Sequence, residues 1–175
     1  RLGDVKALEV NLKLGVMETK LDALSGGDYA VKGTYKTSSD NLKLDVNYET
    51  RGDTGVLTIS QQGRDERLDL TSNVINRLNL GLTDQVPVDM VVEAGVGEVT
   101  LDLTGINLRS LQIKAGVGSL NIILPEQGNF EVNADAGIGS VDLTVPESLE
   151  ARVEYDSGLS DLDIPNRFKK AGEDV

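Results

Sequence analysis

The chain of 175 residues contains no histidine, no cysteine and no tryptophan, and its aromatic side chains amount to two Phe and four Tyr. Without cysteine there is neither a disulfide frame nor a thiolate metal site, so the residues carry no mark of a redox compartment. Without histidine, the commonest metal ligand and the commonest general base at neutral pH are both missing. Those absences remove most hydrolase and zinc-enzyme readings. No apolar run approaches the roughly 18 residues that a membrane-spanning helix needs, and no signal-peptide pattern is visible. Basic side chains are few: 17 against 29 acidic ones, a formal net charge of −12. A surface of that sign repels phosphate backbones, which argues against nucleic acid as a partner, and otherwise serves as an ordinary solvated surface. The length suits one domain. Because the chain opens at Arg1 rather than Met, it is expected to be a fragment or processed product whose preceding segment carries targeting or anchoring information.

What the chain has in abundance is a repeat. Ala94-Gly95-Val96-Gly97, Ala115-Gly116-Val117-Gly118, Ala136-Gly137-Ile138-Gly139 and the degenerate Ser157-Gly158-Leu159-Ser160 recur every 21 residues. After each comes an alternating strand: Val99, Leu101, Leu103; Leu120, Ile122, Leu124; Val141, Leu143, Val145; Leu162, Ile164. Before each stand further apolar pairs two residues apart: Met90 and Val92, Leu111 and Ile113, Val132 and Ala134, Val153 and Tyr155. Period-two alternation marks strands with one buried face, so each repeat supplies two short strands joined at a Gly corner. Glycine suits that corner because it takes positive φ or a close backbone approach without a Cβ penalty. The residues at its centre, Val96, Val117, Ile138 and Leu159, are expected to point into the stack. Turn-rich stretches at Thr104-Gly105, Pro125 to Asn129 and Pro146 to Ser148 reverse the chain at the opposite edge.

The first half repeats more loosely. Leu8, Val10, Leu12, then Leu14-Gly15-Val16, then Leu21 to Leu24 follow the same grammar 80 residues upstream of Ala94-Gly95-Val96. Strands are expected at Ala30 to Tyr35, Leu42 to Tyr48, Gly55 to Ser60, Leu68 to Leu70 and Leu78 to Leu82, with longer protruding turns. A short helix over 73–80 is the alternative, with Asn76 and Asn79 against it. Residues 1–165 are read as a single β-repeat domain and residues 166–175 as a flexible polar tail.

A constant period and constant residue type within each column favour a stacked array over a β-sandwich, whose strands do not recur in register. The expected fold is all-β: a β-solenoid-like stack of ~21-residue repeats with a less regular N-terminal half, open to an antiparallel cap at that end.

Val86-Pro87-Val88-Asp89-Met90-Val91-Val92-Glu93-Ala94-Gly95-Val96-Gly97, with Leu101-Asp102-Leu103, Ala136-Gly137-Ile138-Gly139 and Leu162-Asp163-Ile164-Pro165, resembles the bacterial toast-rack family, which includes the C-terminal domain of LiaF-type envelope-stress regulators and adhesin-like domains. The likeness runs from about Leu8 to Pro165, and departs at Arg77-Leu78-Asn79, where many relatives carry an aromatic. The resemblance implies a non-enzymatic protein-interaction or sensing module of the bacterial cell envelope. It would be membrane-associated in the full-length protein through segments absent here, with the extracytoplasmic side favoured. A protein partner is implied, a membrane sensor protein in LiaF-type members. The sequence assigns no oligomeric state.

No catalytic, cofactor-binding or metal-ligating residue is assigned, and no cofactor is expected. Asp142 and Asp163 share an outward column with Thr100 and Asn121, read as a solvated polar ladder. A carbohydrate-binding or polysaccharide-active β-solenoid is the alternative function. It would need Tyr29, Tyr35, Tyr48 or Tyr155 beside those carboxylates, and the sequence scatters them. The Gly-and-Asp run 136–143 lacks the tandem spacing of a calcium β-roll, Gly95-Val96-Gly97 lacks the third glycine and the helix of a nucleotide site, and Arg51-Gly52-Asp53 reads as a chance tripeptide in a turn.

Overall fold

The computed structural model describes residues 2–38, 42–63 and 75–152. Nine strands account for its regular structure: β1 (Ala7–Val16), β2 (Glu18–Leu24), β3 (Val31–Thr37), β4 (Leu42–Arg51), β5 (Thr54–Gly63), β6 (Asn76–Thr83), β7 (Val88–Asp102), β8 (Leu108–Ile123) and β9 (Glu131–Thr144). The 76–83 segment is thus a strand, and the helical alternative there gives way: Leu78, Leu80 and Leu82 alternate with Arg77, Asn79 and Gly81, which suits a half-buried strand.

The 21-residue period appears directly as strand register. Ala94 pairs with Ala115 and Ala115 with Ala136, while Val96, Val117 and Ile138 form one ladder and Gly97, Gly118 and Gly139 another, all parallel. β7, β8 and β9 each run through the corner, so each contributes a first half to one layer and a second half to another. The looser N-terminal repeat joins the same stack. β1 pairs in parallel with the first half of β7 (Leu8 to Val88, Val16 to Val96) and β2 with its second half (Thr19 to Val99). On the far side of β1 and β2 lie β5 and β6, also parallel to them. Spatial order therefore departs from chain order: the first strands of the chain are inserted between β5/β6 and β7. Antiparallel strands cap that end of both layers, β4 on β5 and β3 on β6.

The buried faces of both layers merge into one cluster, with Leu8, Val10, Leu12, Val92, Leu101, Leu111, Leu120 and Ile122 among its members. Full burial of an aliphatic side chain of this size is worth about 1.5–3 kcal/mol before the entropy of ordering is counted. The columns stay buried through the second C-terminal repeat and open in the third, where Val141 is 47% and Leu143 40% exposed because no described strand follows β9. The fourth repeat, from Val153, and the tail lie outside the described residues, as does the strand expected at 68–70.

Candidate interaction surface at the glycine corner

The corner corrects one expectation. In the first half of β7 the buried residues are even-numbered (Val88, Met90, Val92), and in the second half odd-numbered (Val99, Leu101). That parity switch happens across residues 95–97, so the central residue of the corner is turned out of the fold instead of into it. Val96 and Val117 are each 48% exposed and Ile138 74%. With half-buried Val16, which pairs with Val96, they form an aliphatic ladder along the outer edge of the stack.

Glycine is required beside them by close approach. A Cβ on Gly116 or on Gly137 would lie 2.5 Å from the carbonyl oxygen of the glycine one coil earlier, Gly95 or Gly116 respectively. Gly97, Gly118 and Gly139 take φ near +142° or +143°, and a Cβ there would run into the carbonyl of Met17, Gly97 or Gly118. A shallow, open depression of about 660 Å³ runs across the coils, with Gly15, Gly95, Gly116 and Gly137 in its floor beside Ala94 and Ala115. Its rim is a row of exposed charges in strict register: Lys13, Glu93, Lys114 and Asp135.

At the β1/β2 corner two side chains stand in for a missing coil, because β5 stops at Gly63 and the chain resumes at β6 without a corner of this kind among the described residues. The Gln61 Oε1 accepts from the amides of Gly15 (3.0 Å) and Val16 (2.9 Å), and the Asn76 Nδ2 donates to the Val16 carbonyl. Further down, the Met17 amide donates to the Val96 carbonyl at 3.0 Å, as ordinary stacking provides. Sequence reasoning passed over both amides. Their signal was an amide at the inner end of an otherwise alternating strand, on either side of an irregular stretch.

The predicted outward column is real. Thr100, Asn121 and Asp142 are in register, joined by Lys20 and Asn79 from β2 and β6, while Asp163 lies outside the described residues. Among the described residues no tyrosine comes near Asp142. Tyr35 and Tyr48 are on the cap strands β3 and β4, and Tyr29 lies two residues before β3, whereas Asp142 is on β9, at the other end of the described strands. At about 4.8 Å per strand the four steps from β3 to β8, and a fifth to β9, separate them by more than 20 Å. Tyr155 is outside the described residues. Among the described residues no group of three or more Asp or Glu gathers where a metal ion could be held.

Arg51-Gly52-Asp53 forms the β4–β5 turn, with Gly52 at φ +64°. Both its charges are engaged within the chain, Arg51 with Glu49 and Asp53 with Lys6 at 3.7 Å. Two better-formed pairs brace the outer faces. Arg77 donates twice to Glu18 across the β2–β6 ladder, and this hydrogen bonding lowers the Glu18 pKa. At the edge opposite the corner, a register shift between Val88 and Asp89 leaves Arg109 as the extra residue of β8. Arg109 reaches Asp89 in a fork, Ser110 adds a hydroxyl donor at 2.6 Å, and the Asp89 pKa is lowered, chiefly by the Arg109 hydrogen bonds.

No helix among the described residues is long and apolar enough to cross a membrane. No curated protein matches the sequence. A crystal structure at 1.95 Å of a "putative cell adhesion protein" from Clostridium sporogenes ATCC 15579 superposes with a TM-score of 0.69 at 21% identity, covering 82% of this chain and 95% of that one, a likeness of fold. Residues 1–144, ending where β9 ends, match the family described as the N-terminal domain of toast_rack, DUF2154. The stacked register, the glycine corner and this match together show that the chain belongs to the toast_rack N-terminal domain family.

Proposed function

We propose that the chain is a non-enzymatic protein-interaction or sensing module of the bacterial cell envelope, part of a membrane-anchored protein related to cell-wall stress regulators and facing the extracytoplasmic side. One observation carries the reading: an in-register ladder of exposed β-branched side chains, Val96, Val117 and Ile138, three residues along each strand from a row of exposed charges, Glu93, Lys114 and Asp135. A stack needs its corner glycines, but it gains little from aliphatics turned to water. Apolar side chains rimmed by charge are the usual make-up of a protein-binding patch. Family membership and the adhesion-protein description of the structural neighbour support the same reading. The scattering of Tyr29, Tyr35 and Tyr48 away from Asp142 supports it against sugar chemistry.

Immobilised domain, challenged separately with solubilised envelope proteins and with cell-wall polysaccharide fragments, tests the choice. Saturable binding of a protein is expected, weakened about tenfold or more by Val117→Asp and unchanged by Asp142→Asn. Saturable binding of glycan that disappears in Asp142→Asn would instead select the carbohydrate reading.

A further inference from the structure

We infer that the glycine corner is a self-association surface on which a second copy of this chain docks with its stack running in the opposite direction; the inference rests on the corner being an interaction surface. The rim row reads Lys13, Glu93, Lys114, Asp135 across four successive coils, with signs alternating plus, minus, plus, minus. All four side chains are exposed, and none forms an ion pair with another charge among the described residues.

Two identical rows can be apposed about a two-fold axis in two ways. With the axis along the stack, each charge meets its own copy, and every contact is repulsive. With the axis along the strands, the order reverses: Lys13 meets Asp135 of the second copy and Glu93 meets its Lys114, and symmetry doubles both contacts. The four described members of the row, with their alternating signs, are complementary to a second copy in that orientation alone.

The same rotation acts on the aliphatic ladder. Val96 is brought to Val117 of the second copy and Val16 to its Ile138, so apolar meets apolar while plus meets minus. Both copies share one strand spacing of about 4.8 Å, which lets all positions align at once. At Gly95, Gly116 and Gly137 the floor carries no side chain, while Gln61 covers Gly15 at its end. Contacts between exposed charges are screened by ions, so the dimer weakens as salt rises.

Alternating charges also favour the stack itself, as cross-strand neighbours of opposite sign. A charge swap separates the two roles. Lys114→Glu alone sets Glu93 against a glutamate of the second copy. Glu93→Lys combined with Lys114→Glu gives the row plus, plus, minus, minus, which spoils the alternation within the chain yet stays complementary between reversed copies.

Sedimentation equilibrium of the purified chain reads the outcome, with circular dichroism melts to show that each variant is folded. Wild type is expected to dimerise with a dissociation constant that rises with ionic strength. Lys114→Glu should weaken the dimer about tenfold or more, and the double variant should recover it to within about threefold of wild type. Should Lys114→Glu not fold, Ile138→Asp, at the most exposed position of the ladder, is expected to weaken the dimer in the same way. Wild type that stays monomeric up to about 1 mM, or a double variant as weak as the single one, overturns the inference. If wild type is monomeric while envelope-protein binding is still lost on Val117→Asp, self-association alone has failed; if that binding is absent as well, so has the reading beneath it.

Discussion

Gly116 lies against the carbonyl oxygen of Gly95 so closely that a Cβ on it would stand 2.5 Å from that atom. The contact is between backbones of adjacent coils, so no side-chain rearrangement relieves it. The neighbouring Gly118 adds a backbone constraint, φ +142°, to an even tighter approach to Gly97.

Gly118→Ala should therefore be far more damaging than Gly27→Ala. Gly27 also has a positive φ, +99°, but open space around it. Backbone strain alone costs on the order of 1–3 kcal/mol, which is the expected loss at Gly27. At Gly118 the coils must also move apart, so chemical denaturation should show a loss well beyond that figure. Equal midpoints for the two variants would remove close approach as the reason for the corner glycines.

The parity switch at the corner makes a second prediction. Leu101, fully buried, should cost about 2–5 kcal/mol on replacement by Ala, as core truncations do. Val96→Ser, at a position 48% exposed, should change stability by roughly 0.5 kcal/mol or less. A loss of core size at Val96 would return that residue to the interior.

These two residues also show what could be read in advance. Leu101 and its column were legible because alternation inside a strand fixes which face is buried. Val96 was misjudged because alternation cannot be carried through a bend that changes parity, and composition alone does not reveal the bend's direction. Strand order was the other gap: the insertion of β1 and β2 between β5/β6 and β7 depends on pairings that no local pattern encodes. The offset of 80 residues between Leu8 and Val88 was nevertheless visible, and it is the observed register. At the candidate site the glycines announced themselves, whereas the rim row became a row only once four coils were stacked.

Gln61 supplies a third prediction. Its side-chain oxygen is the acceptor for two amides that no neighbouring corner serves, so Gln61→Ala leaves the Gly15 and Val16 N–H groups without it. Loss of acceptors for partly buried donors costs about 1–3 kcal/mol. Amide hydrogen exchange should show faster exchange at Gly15 and Val16, with little change at Met17, whose donor goes to the Val96 carbonyl. Unchanged protection at Gly15 and Val16 would mean that Gln61 is not their cap.

The Asp89–Arg109 fork makes stability depend on pH in one direction. Its carboxyl pKa in the folded chain is lowered from the ordinary 3.8, so the unfolded chain takes up the proton first as acid is added. The stabilisation from Asp89 is thus fully present well above pH 3.8, and it is lost as pH falls from that region through the lower folded value. Between about pH 7 and pH 5 this group contributes no slope, because it is ionised in both states. Denaturant midpoints should accordingly fall more steeply with acid below about pH 4.5 for wild type than for Asp89→Asn, which has no proton to take up. Arg109→Met should flatten the same region, because the guanidinium is the chief cause of the lowered value. Identical acid profiles for wild type and Asp89→Asn would show that the fork at the β8 bulge contributes nothing to the pH dependence of folding.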